Sequence, residues 1–267
     1  MNIDAFFNES EQHAGKQFME QGYLVFPLEQ NKRFNLLRRL IYQWGCAFLG
    51  GEVAAEEDGF YDEIHHLLGT HDLNDFRLAL IHKLSAQQGL HADLYHMARE
   101  ALHLLVGNEL AMQRGLNLSI QLPDDESSLL PAHSDVWSGN SPYEVVFWLP
   151  LVDCYRTRAM YLLPKPLSDE VTAEFSKYSH LSAEDFFREI ESMVEWVEVK
   201  RGEGLIFWHG LVHGNQINRE PLARWSMNIR FKGLLSPYGD KEVGESFFPI
   251  TVRPATRLGY AYRSPEC

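Results

Sequence analysis

Near Leu116 the hydrophobic period of the chain changes from helical to two, and this change limits the architecture more than any other feature. Leu116, Leu118, Ile120 and Leu122 alternate with Asn117, Ser119 and Gln121, so one face of that segment is apolar and the other carries hydrogen-bonding groups. Before it, residues 10–21 read as a short helix stopped by Gly22, Tyr23 to Pro27 as a strand, and residues 31–48 as an amphipathic helix with Phe34, Leu37, Leu40, Ile41 and Trp44 on one side. A second helical block covers about 73–106, and the acidic, turn-rich loop from Gly50 to Gly59 is expected to be exposed. After it, further strands are expected at Tyr143 to Pro150, Met160 to Leu163, Trp196 to Lys200, Leu205 to Trp208 and Arg224 to Phe231. Ser168 and Ser182 are read as N-caps of two helices inserted over 168–194. Short strands after a helical region predict a mainly β fold with added helices, a double-stranded β-helix or jelly roll. One domain over 1–267 is expected, with helices to about 110, a barrel over about 116–235 and a tail over 236–267.

Within the β region, His133-Ser134-Asp135 is followed 80 residues later by His213 and then by Arg224-Trp225-Ser226. Read as a strand, His133 and Asp135 share one face, and His213 completes two imidazoles and a carboxylate. Such a facial triad leaves the opposite face of an octahedral metal open, as in non-haem Fe(II) sites. Eleven residues beyond His213, Arg224 can return on a neighbouring strand with Ser226 on the same face. A guanidinium fork and a hydroxyl suit a carboxylate, and 2-oxoglutarate fits: its keto-acid end reaches the metal and its far carboxylate meets Arg224 and Ser226. His209 competes for the distal position. Spacing favours His213, because the residue eleven beyond His209 is Glu220, which repels an anion. His209 is then read as a hydrogen-bonded histidine near the pocket mouth.

This pattern resembles the Fe(II)/2-oxoglutarate-dependent dioxygenases. Gly107-Asn108-Glu109-Leu110-Ala111, Asn117 to Pro123, His133 to Gly139, Trp148-Leu149-Pro150-Leu151-Val152-Asp153, His213-Gly214-Asn215 and Arg224 to Phe231 together look like bacterial oxygenases of carbohydrate-biosynthesis clusters. These lie within the phytanoyl-CoA dioxygenase-like group, and the likeness covers roughly residues 70–235. It implies Fe(II), 2-oxoglutarate and O2 at His133, Asp135 and His213, and oxidation, first of all hydroxylation, of a small carbohydrate-related substrate. Desaturation and epimerisation stay open. Chlorination is disfavoured because Asp135 fills the position that related halogenases leave to chloride.

Several residues admit two readings. Asn117, Ser119 and Gln121 either bind co-substrate or substrate or form an ordinary hydrogen-bonded strand face; Arg230 either touches substrate or 2-oxoglutarate or makes a surface ion pair. Trp137 and Tyr143 either stack on a sugar or pack in the core. His65, His66, His71 and Asp72 form a second, disfavoured metal cluster in a polar segment. A cupin-like metal-dependent sugar isomerase or oxygenase without 2-oxoglutarate would leave Arg224 and Ser226 without a role, and a non-catalytic sugar-binding jelly roll would not need an intact triad.

A formal charge of −13 opposes nucleic acid or anionic membrane as a partner. Cys46, Cys154 and Cys267 show no paired or zinc-type spacing, and the segment after Met1 and Asn2 carries no targeting pattern, so a cytoplasmic enzyme of a small molecule is expected.

Overall fold

The computed structural model describes residues 3–51 and 56–264. Met1, Asn2, Cys267 and part of the 50–59 loop lie outside the described residues.

Helix α1 (Glu9–Gln21) starts in a capping box between Asn8 and Glu11. It stops at Gly22, whose φ of 81° suits glycine and where a Cβ would also strike Leu211. Strand β1 (Tyr23–Pro27) is followed by α2 (Asn31–Phe48), α3 (Glu57–Glu63), α4 (Thr70–Ala86), α5 (Leu90–Met97) and α6 (Arg99–Leu105). The barrel strands are β2 (Leu110–Gln113), β3 (Asn117–Gln121), β4 (Glu144–Pro150) and β5 (Tyr161–Leu162). After α7 (Lys165–Ala173) and α8 (Ala183–Ile190) come β6 (Glu195–Trp196), β7 (Glu203–Trp208), β8 (His213–Gly214), β9 (Arg224–Gly233), β10 (Phe247–Pro249) and α9 (Pro254–Ala261).

Among the described residues, the major sheet runs β1-β7-β4-β9-β2-β10, with β3 also on β9, and the minor sheet runs β6-β5-β8. The named pairings are antiparallel. The two sheets make the jelly roll the strand pattern predicts. Its spine is β9, where β4 lies along one edge and β3 and β2 share the other. Alternation gives β9 two faces. Trp225 points outward, buried against Phe60, Tyr61 and Phe76, with its indole N–H donating to Tyr61 O at 2.9 Å. Arg224, Ser226 and Asn228 point the other way, into a narrow cavity.

Four expectations are corrected by packing. The presumed exposed loop becomes helical at Glu57, because Phe60, Tyr61 and Ile64 are buried under the major sheet. The block over 73–106 is three helices, divided around Gly89 at φ 80° and at Ala98. The tail beyond 236 is not merely appended, since β10 pairs with β2, itself a strand too short to announce its period. Ser168 is no cap: α7 begins at Lys165 with a proline in its first turn, whereas Ser182 does cap α8 by accepting from Asp185 N. No helix among the described residues is long and apolar enough to cross a membrane.

Ser168 has a different task. Fully buried, its Oγ donates to Leu163 O at 2.8 Å and accepts from Val212 N at 3.0 Å, tying α7 to the residue before His213. Ser168→Ala strands a buried N–H and should lower the unfolding free energy by about 1–3 kcal/mol in urea denaturation; an unchanged midpoint would mean that the bridge carries no weight.

Candidate active site

His133 and His213 face each other across a single antiparallel bridge. Each accepts the other's amide proton, with His133 N to His213 O at 3.0 Å and His213 N to His133 O at 2.8 Å. Directly opposed residues put their side chains on one face, and the two rings lie 4.3 Å apart. Both rings also fix their tautomers locally. His133 Nδ1 donates to Pro131 O at 2.8 Å and His213 Nδ1 to Leu211 O at 2.9 Å, so each Nε2 is left as a free lone pair.

Asp135 reaches the same point by another route than expected. His133 is a lone bridge residue, Ser134 is extended, and Asp135 opens a short 3-10 helix, Asp135–Ser138, so the carboxylate is aimed by a turn rather than by a continuous strand. Its oxygens lie 3.9 Å from His133 Nε2 and 4.0 Å from His213 Nε2. Ligand atoms of all three residues fall within 4.8 Å of one another, and no other such group of three occurs among the described residues. His65 and His66 stack on each other and His71 pairs with Asp72 in solvent, which dissolves the alternative cluster.

The donor set suits a divalent metal. Burial, then repulsion from His133, pushes the His213 imidazole down to about 4, so it holds its lone pair in neutral solution. Burial raises the Asp135 carboxyl, but His209, His213 and Arg230 outweigh it and hold the group below its usual range.

His209 does not sit at the mouth. It is fully buried beneath Asp135, with Nε2 at 3.2 Å from Asp135 Oδ2 and Nδ1 at 3.3 Å from Glu144 Oε2. These are contact distances, yet neither has hydrogen-bond geometry. Burial pushes His209 down to about 3 and raises Glu144, which faces the equally buried Lys232 across β4 and β9. A neutral histidine, itself backed by the buried Glu144, thus lies behind the carboxylate of the triad. Glu144 carried no sequence signal, because a charged residue at the head of an apolar strand reads as a surface end.

The cavity beside His213 is lined by Ser119, Trp148, Met160, Phe207, Arg224, Ser226 and Asn228, among others. Arg224 is buried; Nη2 donates to Ser119 Oγ at 3.1 Å, Nη1 to Ala159 O at 3.4 Å, and Nε has no partner. No carboxylate pairs with it among the described residues, and burial pulls its pKa down. Ser226 sits in register with Ser119. Of the other expected contacts, Ser119 lines the cavity, Gln121 instead gives its Nε2 to Gln216 O at 2.6 Å and Asn117 is exposed, while Asn228 is an added lining residue. The alternation of β9 held the signal for Asn228. Trp137 stacks on Phe175 and Phe186 of the inserted segment, a packing role, while Tyr143 is exposed.

No protein-family model and no curated protein matches the chain. Solved structures do. The chain is similar to a non-heme monooxygenase, ThoJ, in its nickel complex, at 18% identity and a TM-score of 0.51, over 92% of this chain and 91% of that one. SnoK, a non-heme alpha ketoglutarate dependent carbocyclase from nogalamycin biosynthesis, aligns at 16% identity and 0.54, over 93% and 98%. EctD from S. alaskensis, with 2-oxoglutarate and 5-hydroxyectoine, aligns at 17% and 0.53, over 89% and 80%. The chain has their jelly-roll fold.

Two measurements check the site. His213→Ala should remove measurable Mn(II) binding, whereas His209→Ala, which loses only the support behind Asp135, should weaken it by roughly 10- to 100-fold. Loss of binding in His209→Ala but not in His213→Ala would reverse the assignment of the distal ligand. Secondly, both buried histidines have folded-state values below their unfolded 6.5, so the unfolded chain binds more protons below that pH. Stability of the metal-free protein should therefore fall as pH drops from about 6.5 to 4, by about 1.4 kcal/mol per unit for each histidine. Urea midpoints across this window should follow, and His209→Gln should roughly halve the slope.

Proposed function

We propose that this protein is an Fe(II)- and 2-oxoglutarate-dependent dioxygenase oxidising a small polar metabolite, with the sequence resemblance pointing to a carbohydrate or sugar-containing precursor. The observation that carries the reading is Arg224: a buried cation with no counter-ion, on a cavity shared with His213. Burying an unpaired charge is costly unless a ligand supplies the opposite one.

His133, Asp135 and His213 would hold the iron, and Arg224 with Ser226 and Ser119 would receive the far carboxylate of 2-oxoglutarate. When bound, the metal with 2-oxoglutarate and O2 supplies oxidative decarboxylation to succinate and carbon dioxide and the oxidant that attacks the substrate. The chain's own residues orient and shelter. Arg224 fixes the dicarboxylate from one end, Ser119 and Ser226 add hydroxyl donors, and Trp148, Met160 and Phe207 keep the cavity wall apolar so that the ionic contact is strengthened. The Nδ1 anchors on Leu211 and Pro131 keep both imidazoles turned toward one point without rearrangement. A small-molecule substrate, with neither nucleic acid nor membrane, agrees with the acidic chain. Unpaired Cys46 and Cys154 agree with a cytoplasmic setting. A cupin-like metalloenzyme without 2-oxoglutarate leaves Arg224 unexplained, and a silent sugar-binding jelly roll leaves the triad unexplained.

With Fe(II), ascorbate and 2-oxoglutarate, the purified protein should form succinate slowly even without substrate; none across a broad sugar panel would sink the assignment. Losing a buried charge-assisted contact costs on the order of 2–5 kcal/mol, so Arg224→Gln should raise the KM for 2-oxoglutarate by about 30-fold or more while Fe(II) affinity stays near wild type. If Arg230→Gln does this instead, the co-substrate lies elsewhere.

A further inference from the structure

The side of the site away from Arg224 holds more positive charge than the chain matches. Arg230 follows Arg224, Ser226 and Asn228 on the inward face of β9, and its Nη2 donates to Asp135 Oδ1 at 2.8 Å. Six strand residues put the two arginine Cα atoms about 20 Å apart, so Arg224 serves the far end of the co-substrate cavity and Arg230 the metal side of the site. The chain beyond β9 then folds back over the turn that carries Asp135. Asp240 N donates to Gly139 O at 3.0 Å, and Ser141 Oγ donates to Pro237 O at 2.7 Å, which fastens residues 237–240 beside that turn. Lys241 comes next. It is half-buried, feels Arg230, Glu144 and Asp135, and forms no ion pair among the described residues. Burial lowers its pKa, with Arg230 adding to the effect.

Three carboxylates are near these cations. Asp240, just before Lys241, turns its carboxylate onto Gly139 and forms no ion pair among the described residues. Glu144 is buried in register with Lys232, whose ammonium donates to Pro237 O, and its charge is shared among Lys232, Arg230 and Lys241 without an ion pair to any of them. Asp135 belongs to the candidate triad, and a divalent metal there draws on the charge that Arg230 now neutralises. Arg230 and Lys241, with Lys232, would then carry more positive charge than Glu144 and Asp240 offset, toward the end of β9 away from Arg224.

We propose that Arg230 and Lys241 recognise a negatively charged group of the substrate, a carboxylate or a phosphate, so that the substrate class is a small anionic metabolite. This rests on reading His133, Asp135 and His213 as the metal triad. Lys241 is the cleaner probe of the pair because, unlike Arg230, it makes no contact with a metal ligand.

The test uses Mn(II)-loaded protein with 2-oxoglutarate and follows the paramagnetic relaxation of sugar protons by NMR for D-glucuronate, glucose 1-phosphate and neutral D-glucose. At least one anion should be relaxed several-fold more than glucose, and the anion that responds identifies a carboxylate or a phosphate. Lys241→Met should weaken its binding by about tenfold, and Lys241→Arg should keep it within about twofold. Anions relaxed no more than glucose, or binding unchanged in Lys241→Met, would overturn the proposal while Mn(II) binding leaves the triad standing. If electron paramagnetic resonance shows that the wild-type protein binds no Mn(II), the triad reading falls and this inference falls with it.

Discussion

The site depends on one pair of backbone hydrogen bonds, those between His133 and His213. Residues 80 apart in the chain become directly opposed in a two-residue bridge, and a bridge of this kind leaves no freedom in which face either side chain takes. Because each ring then donates Nδ1–H to a carbonyl two residues before it, the orientation of both lone pairs follows from main-chain geometry rather than from a bound ion. Asp135 is added by a turn, and its position is supported from behind by His209 and from the side by Arg230. A ligand set assembled in this way is preorganised: little conformational entropy remains to be lost when a metal arrives.

Strand β9 connects that site to the rest of the molecule. Its outward residues, with Trp225 at their head, are buried against helices α3 and α4, and its inward residues carry Arg224, Ser226, Asn228, Arg230 and Lys232. The stabilisation gained by burying the apolar face offsets the cost of desolvating the polar one. A strand with three cations on its inner face would not be stable as an isolated hairpin. Here the cations are spread along it, each beside a different group: Ser119 for Arg224, Asp135 for Arg230, Glu144 and Pro237 O for Lys232.

The inserted helices are tied to this arrangement more closely than surface additions would be. Ser168 joins α7 to the strand that delivers His213, and Trp137, two residues beyond Asp135, is packed by Phe175 and Phe186. The insertion therefore braces both halves of the triad. Its removal would disturb the ligands themselves.

The sequence by itself determined the jelly roll and singled out His133, Asp135 and His213 as a candidate triad with Arg224 and Ser226 on one strand face, because period-two alternation and fixed spacings are local properties of the chain. It also gave α1, β1, α2 and the Ser182 cap almost to the residue, since capping residues and Gly22 act on their immediate neighbours. Tertiary structure alone decided the rest. Only packing could show that residues 57–63 turn helical under Trp225, that Ser168 ties α7 to Val212 instead of capping a helix, and that His209 lies buried between two carboxylates. The same holds for which of Asn117, Ser119 and Gln121 meets Arg224, and for Arg230 meeting Asp135 across 95 residues of chain. Those contacts join residues far apart in sequence, and which polar groups are desolvated together is settled only when the strands close on one another.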